Sequence, residues 1–156
     1  MQIISTKSSA AISLAISALR CGSVILIPTE TVYGLACLWS DPLARARIFH
    51  LKQRSSSKHL QMLAASVSQA ISAGVLPSEE LQKISASFWP GPLTLVCAAK
   101  DDESIGLRIP QHSFLLELLA QLGEPLAASS ANISGGVAAL SVEDALKQFV
   151  ELPGLV

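Results

Sequence analysis

Aromatic side chains make up only 4% of the 156 residues, although half the chain is hydrophobic. A core of this composition has to be built from Ala, Leu, Ile and Val, which suits helices packed closely on a sheet. Cysteine is scarce. Cys21, Cys37 and Cys97 are odd in number, far apart and set in apolar sequence, which favours buried free thiols in a reducing cytoplasm over disulfides or a metal site. No apolar run approaches the roughly 20 residues needed to span a bilayer, and the Met1 to Lys7 segment lacks the basic and apolar regions of a signal peptide. No membrane partner is therefore expected. Neither sign of charge is in excess. A net charge of −1 gives no global pull towards nucleic acid or anionic lipid, so any basic site must be local. Repeats, linkers and low-complexity tracts are also missing, and the length suits one domain, 1–156, with a sizeable core.

What the chain does have is a dense stretch from Val24 to Leu38. Val-Ile-Leu-Ile reads as a buried strand, and Pro28 should stop its ladder. Two threonines, Glu30 and Tyr33 follow, closed by Gly34. Strand ends in α/β sheets open onto the crevice where ligands sit, so Thr29, Thr31 and Tyr33 read as donors to a small polar substrate or as an ordinary capping loop. Before this stretch, Ile3-Ile4 is expected as a short strand. A helix should follow from Ser8 or Ser9 to Arg20, capped by serine and stopped by Gly22.

Asp41-Pro42 predicts the start of a second helix, which delivers Lys52, Arg54 and Lys58 to its end and the loop beyond. These three cations read as a solvated helix end that complements the dipole or as a grip on a triphosphate. Leu60 to Ala64 is expected as a strand, Val67 to Ala73 and Ser78 to Phe88 as helices. The Trp89-Pro90-Gly91-Pro92 turn then leads into a Leu-Thr-Leu-Val strand, with Trp89 packing the turn against the sheet. After a turn at 101–103, Arg108 interrupts an apolar strand and needs a counter-charge or a cleft. Phe114 to Leu122 is an amphipathic helix. Leu126 to Ala128 is a strand that runs into Ser129-Ser130-Ala131-Asn132-Ile133-Ser134-Gly135-Gly136, a loop able to cradle phosphate but without the Walker signature. Ser141 to Phe149 closes the series with a capped helix. Alternating strands and helices predict a single α/β domain with a twisted, partly parallel sheet.

Five motifs in this order carry a resemblance: Pro28-Thr29-Glu30-Thr31-Val32-Tyr33-Gly34-Leu35, Lys52-x-Arg54, Phe88 to Thr94, Arg108-Ile109-Pro110 and Ser130-Ala131-Asn132-Ile133-Ser134-Gly135. Over roughly residues 8–150 the sequence resembles the YrdC-like threonylcarbamoyl-AMP synthases. The resemblance implies a twisted mixed sheet flanked by helices around a deep basic cavity. It also implies a cytoplasmic nucleotidyltransferase that uses ATP and Mg²⁺ to activate L-threonine and bicarbonate. N-carboxy-threonine attacks the α-phosphate, and the resulting adenylate feeds t6A37 modification of tRNA. By motif position, Thr31, Arg108 and Ser130 would line the threonine pocket. Lys52, Arg54, Lys58, Ser130 and Asn132 would hold ATP, with Thr29, Tyr33 and Ser134 supporting the loops. No protein metal site is expected. Partners implied are tRNA or double-stranded RNA and other t6A-pathway proteins.

The sequence departs from that family pattern in places. Ser55 and His59 replace prolines, which loosens the loop after Arg54. Leu63 stands where a histidine is common and Leu140 where a hydroxyl is expected. Longer members continue with a segment carrying a further arginine. Each departure is expected to lower synthase activity. Two rival readings follow: an RNA-binding or accessory paralogue without turnover, and a related carbamoyl-adenylate or carbamoyl-transfer role.

Overall fold

A computed structural model of the chain describes residues 2–55, 58–100 and 103–149. The serines at 56 and 57 and most of the acidic turn at 101–103 therefore lie outside the described residues. Helix α1 (Ala11–Arg20) buries Ala11, Ala15 and Leu19 along one stripe. Its end is set by Gly22 at φ +74, where the Gly22 N–H reaches the Leu19 carbonyl at 2.9 Å and the Ser23 N–H reaches Ala18 at 3.0 Å. Its start differs from expectation. Ala10 occupies the cap position without a side-chain bond, and Ser8 lies in the turn before it.

Ile3-Ile4 forms no strand among the described residues, and Ile3 is exposed. Instead of strand–helix–strand, α1 leads into a hairpin. β1 (Ile25–Ile27) pairs antiparallel with β2 (Gly34–Leu38), Ile27 lying opposite Gly34. Every residue of both strands is buried. Gly34 thus opens a strand rather than closing a loop, and the apolar run Gly-Leu-Ala-Cys-Leu is its signal.

Helix α2 (Pro42–Leu51) starts as predicted. The Asp41 carboxylate accepts the Leu43 and Ala44 N–H groups, both at 2.9 Å, with Pro42 in the first turn. The remaining elements are β3 (Gln61–Leu63), α3 (Val67–Ser72), α4 (Glu79–Phe88), β4 (Leu95–Ala98), β5 (Ser104–Arg108), α5 (Ser113–Leu122), β6 (Leu126–Ser130) and α6 (Val142–Gln148). The six strands form one sheet in the order β1-β2-β6-β3-β5-β4. Only β3 and β5 run parallel, so the sheet is mixed.

Helices α1 and α5 cover one face through Leu19, Leu115, Leu118 and Leu119, packed on Ala36, Leu63, Leu126 and Ala128. The opposite face packs Ala44 and Ile48 of α2 and Ala145 of α6 against Leu35, Cys37 and Ala127. Cys37 and Cys97 are buried free thiols, whereas Cys21, at the open end of α1, is exposed. The turn before β4 is pinned by the Trp89 indole, which donates to the Leu93 carbonyl at 2.8 Å, and by the Gly91 N–H on Ile109 at 2.9 Å. A Cβ on Gly91 would lie 2.4 Å from the Phe88 carbonyl oxygen, so this close approach admits only glycine. Among the described residues no helix is long and apolar enough to cross a membrane.

Candidate functional site

Cross-strand partners share a face of a sheet, so register places the side chains. Leu126, Ala128 and Ser130 of β6 share theirs with Leu63 and Gln61 of β3. Arg108 lies beside Leu63, and Val96 of β4 lies opposite Gly106. This is the face covered by α1 and α5, but the cover stops short: Gln61 and Gly106 are half-buried and Thr94, Val96, Ala98 and Ser104 exposed. An open floor therefore runs across β3, β5 and β4.

The β1–β2 loop closes over one side of that floor. Thr29 Oγ1 accepts the Thr31 and Val32 N–H groups at 3.1 Å and donates to the Val32 carbonyl at 2.7 Å, a hydroxyl turn that fixes the loop's shape. Thr31 Oγ1 sits 2.9 Å from Thr29 Oγ1. Because the Thr29 proton is already on Val32, the Thr31 hydroxyl donates here. Its oxygen accepts both terminal nitrogens of Arg108 at 3.2 Å. Glu30 supplies the counter-charge that Arg108 requires, 2.6 Å from its Nη2, and the same carboxylate oxygen takes the Gln111 N–H at 3.0 Å. Burial pushes the Glu30 carboxyl up, but the Arg108 hydrogen bond and the Gln111 N–H outweigh it and hold it below its usual range. Arg108 is thus no solvated cation on an edge strand; it is 7% exposed on an inner strand.

Tyr33 is stitched into the next loop by its backbone: its N–H donates to Ala139 at 2.9 Å and its carbonyl accepts from Ala131 at 2.8 Å. Its ring packs against the α2 face of the core.

The 130–136 loop is built around Lys52, which is 1% exposed. Its ammonium donates to the Ser130 carbonyl, to the Asn132 carbonyl at 2.7 Å and to Asn132 Oδ1 at 3.4 Å, while the Ser134 N–H returns to the Lys52 carbonyl at 2.9 Å. Of the two readings open for Lys52, the solvated helix end does not hold, and its ammonium is spent on this loop. A cation at the C-cap of α2 has been drawn inwards because a loop of carbonyls needs donors there. Burial first, and the Arg54 charge second, lower its pKa from 10.5 to about 8.

Asn132 is also committed: Nδ2 donates to Ile133 at 2.9 Å and Gly136 at 2.8 Å, and Oδ1 accepts the Ser130 hydroxyl at 2.5 Å. Arg54, half-buried, bridges Ser129 Oγ at 3.2 Å and the His59 carbonyl at 3.0 Å. Lys58 and Ser134 are exposed. Among the described residues four buried side-chain nitrogens have no partner: Nε of Arg54 and of Arg108 here, and Nε of Arg45 on α2 and Nδ1 of His112 before α5.

The structure thus joins Thr29, Thr31 and Arg108 in one cluster and Lys52, Ser130, Asn132 and Ser134 in another, with Arg54 beside the second. Lys58 joins neither. Sequence reading left the role of Glu30 open and missed Ser129, Gln61 and Thr94. Leu63, where a histidine was expected, is a core residue packed beneath α5, and Leu140 is exposed.

A family model covering Sua5, YciO and YrdC, described as "Telomere recombination", matches residues 17–156. Threonylcarbamoyl-AMP synthase of Mus musculus is 36% identical over 145 residues, which are 86% of this chain and 50% of that protein. The protein of the same name from Vibrio cholerae is 34% identical over 147 residues, 86% of this chain and 78% of that protein. The chain thus spans about half the length of the mammalian relatives it matches. Sua5 of P. abyssi, in a crystal structure with L-threonine, superposes with a TM-score of 0.88 at 30% identity, covering 99% of this chain and 48% of that one. YciO of E. coli, at 21% identity and a TM-score of 0.83, covers 99% of this chain and 80% of its own, and shares the fold. The chain belongs to the Sua5/YciO/YrdC family.

Proposed function

We propose that this chain synthesises threonylcarbamoyl-AMP from ATP, L-threonine and bicarbonate, and that the product serves t6A modification of tRNA. The observation that carries the reading is the pair of arginines. Arg54 and Arg108 are each held by their terminal nitrogens and each keep a buried Nε–H without an acceptor. Arg45, over Trp39, also keeps an unpartnered Nε, but Arg54 and Arg108 stand beside the open floor, where such donors can meet a ligand, and every substrate of this reaction is an oxyanion. The names of the relatives and the threonine bound to P. abyssi Sua5 support the same chemistry.

Arg108, oriented by Glu30 and Thr31, takes the threonine carboxylate. The amine adds to bicarbonate with loss of water, and the resulting carbamate oxygen attacks the α-phosphorus as pyrophosphate leaves. No side chain need be a nucleophile. Arg54 meets the phosphates as charge builds on them, while the Ser130 hydroxyl, which donates to Asn132 Oδ1, keeps the loop in shape. Lys52 and Asn132 act on ATP through the loop they hold, and Lys58 stands free to approach the triphosphate from outside. Among the described residues no group of three or more His, Cys, Asp or Glu gathers to hold a metal, and Glu30 is committed to Arg108. The triphosphate would bring Mg²⁺ with it, and the ion would neutralise phosphate charge there. The net charge of −1 gives little support to a general RNA-binding role.

Pyrophosphate release from ATP should depend on both threonine and bicarbonate. Arg54→Ala should lower kcat/KM for ATP by about tenfold or more, the scale of a hydrogen bond to a charged group, with the fold retained. Release that ignores threonine, or an Arg54→Ala enzyme as active as the parent, would overturn the reading.

A further inference from the structure

Gln61 stands in the floor of the site, between the Ser130 loop and Arg108. It lies opposite Ala128 of β6 on one side. On the other it lies one step before the Met62–Leu107 pair, beside Gly106 of β5. Glycine there leaves a lane free of side chain. The Gln61 amide crosses it and donates Nε2–H to Thr94 Oγ1 at 2.6 Å, and a Cβ at 106 would sit 3.5 Å from the Thr94 methyl. Thr94 itself lies beside Arg108, one step from the Leu95–Leu107 pair. The latch holds the amide across the lane: its NH₂ faces Thr94, and Oε1 makes no hydrogen bond among the described residues.

The chemistry of the floor makes that oxygen distinctive. Arg108 and Arg54 bring donors only, and the oxygen of Glu30 that faces Arg108 is already shared with Gln111. A half-buried, pinned carbonyl is an acceptor waiting for a donor on the ligand. We propose that Gln61 is a specificity-determining residue: its Oε1 accepts the side-chain hydroxyl of the amino acid whose carboxylate lies on Arg108, with Thr94 holding the amide in place. The inference rests on the amino-acid-activating reading above and adds to it the basis for choosing threonine over an isosteric apolar side chain. Sites that hydrogen-bond a hydroxyl reject the analogue that lacks it, because an acceptor covered by the bound ligand is then left unpaired.

Calorimetric titration of threonine and of valine into the wild type, Gln61→Leu and Thr94→Val tests this without requiring turnover. The wild type should prefer threonine by about tenfold, the scale of one net hydrogen bond. Gln61→Leu should bring the ratio close to one by weakening threonine and sparing valine. Thr94→Val, which leaves Gln61 in place but unlatched, should fall between. Loss of affinity for both amino acids by the same factor would mean a merely structural Gln61 and would overturn the proposal. So would an unchanged ratio in Gln61→Leu, even in an enzyme that releases pyrophosphate normally. Selective threonine binding without pyrophosphate release would defeat the catalytic reading and leave this inference standing. A wild type that binds neither amino acid would defeat both.

Discussion

Lys52→Met should lower the free energy of unfolding by about 2–4 kcal/mol, the cost of leaving two carbonyl acceptors without their donor. Methionine keeps the length and apolar stem of lysine but leaves the part-buried carbonyl of Ser130 and the buried carbonyl of Asn132 without their donor. For a domain stable by roughly 5–15 kcal/mol that is a large fraction, and the 130–136 loop should be the first segment to loosen. Urea unfolding with hydrogen exchange at Ala131 and Ser134 would measure it. A change under about 1 kcal/mol, the scale of one ordinary hydrogen bond, would show that the loop holds itself.

The same lysine has a pH signature. Its pKa falls from 10.5 to about 8 on folding, through burial and then through Arg54. Between those values the unfolded chain keeps a proton that the folded chain has released, so stability rises with pH across that window. Below about 8 both states are protonated and the contribution is flat. The denaturation midpoint of the wild type should climb from pH 8 towards pH 10 relative to that of Lys52→Met.

Arg108→Leu should have the largest effect on activity, a loss of threonine-dependent turnover of about 100-fold or more, as expected when a forked charge-assisted contact disappears. It also removes the tie between β5 and the 28–33 loop, in which one guanidinium holds Glu30 and Thr31 together. Breaking a buried pair costs about 3–5 kcal/mol, and the residual exposure of Glu30, 18% of its side chain, reduces this to about 2–3. Glu30→Gln separates the two effects, since it keeps Arg108 and the Thr31 contact. The Glu30 carboxyl is held below its ordinary range in the fold, so its contribution is complete above about pH 4.5 and is lost as pH falls through the lowered value. Acid titration of the wild type should show that loss and Glu30→Gln should not.

Most elements were legible because their signals are local. Asp41-Pro42, Ser78 and Ser141 each announce a helix with one side chain and one backbone contact. The β1–β2 hairpin was not legible. Pro28 and Gly34 bracket hydroxyl-rich residues that look like a capping loop, and pairing with β1 and β6 shows that the apolar run after them is a strand that Gly34 starts. At the site, the demand of Arg108 for a counter-charge could be read, but not its answer, because Glu30 lies 78 positions earlier. Lys52 misled in the opposite sense: a helix C-terminus explains a cation cheaply, and nothing nearby in sequence tells that residues 130–134 will close over it. Gln61 carries no motif signal, Thr94 only ends the Phe88 to Thr94 motif, and strand register alone brings the two together.

The sheet order has a consequence for how the chain comes into being. β6 comes last in chain order among the described strands, yet it lies in the middle, hydrogen-bonded to β2 on one side and β3 on the other. During synthesis the hairpin and the β3–β5–β4 unit must therefore wait as two half-sheets, each with an open inner edge able to pair with another chain. Lys52 waits as well, its charge in water until residues 130–132 arrive. Chains stopped at Gly123 should stay sensitive to pulse proteolysis and prone to association, and protection gained only after Ser130 has emerged would mark the moment at which both the sheet and its cleft come into existence.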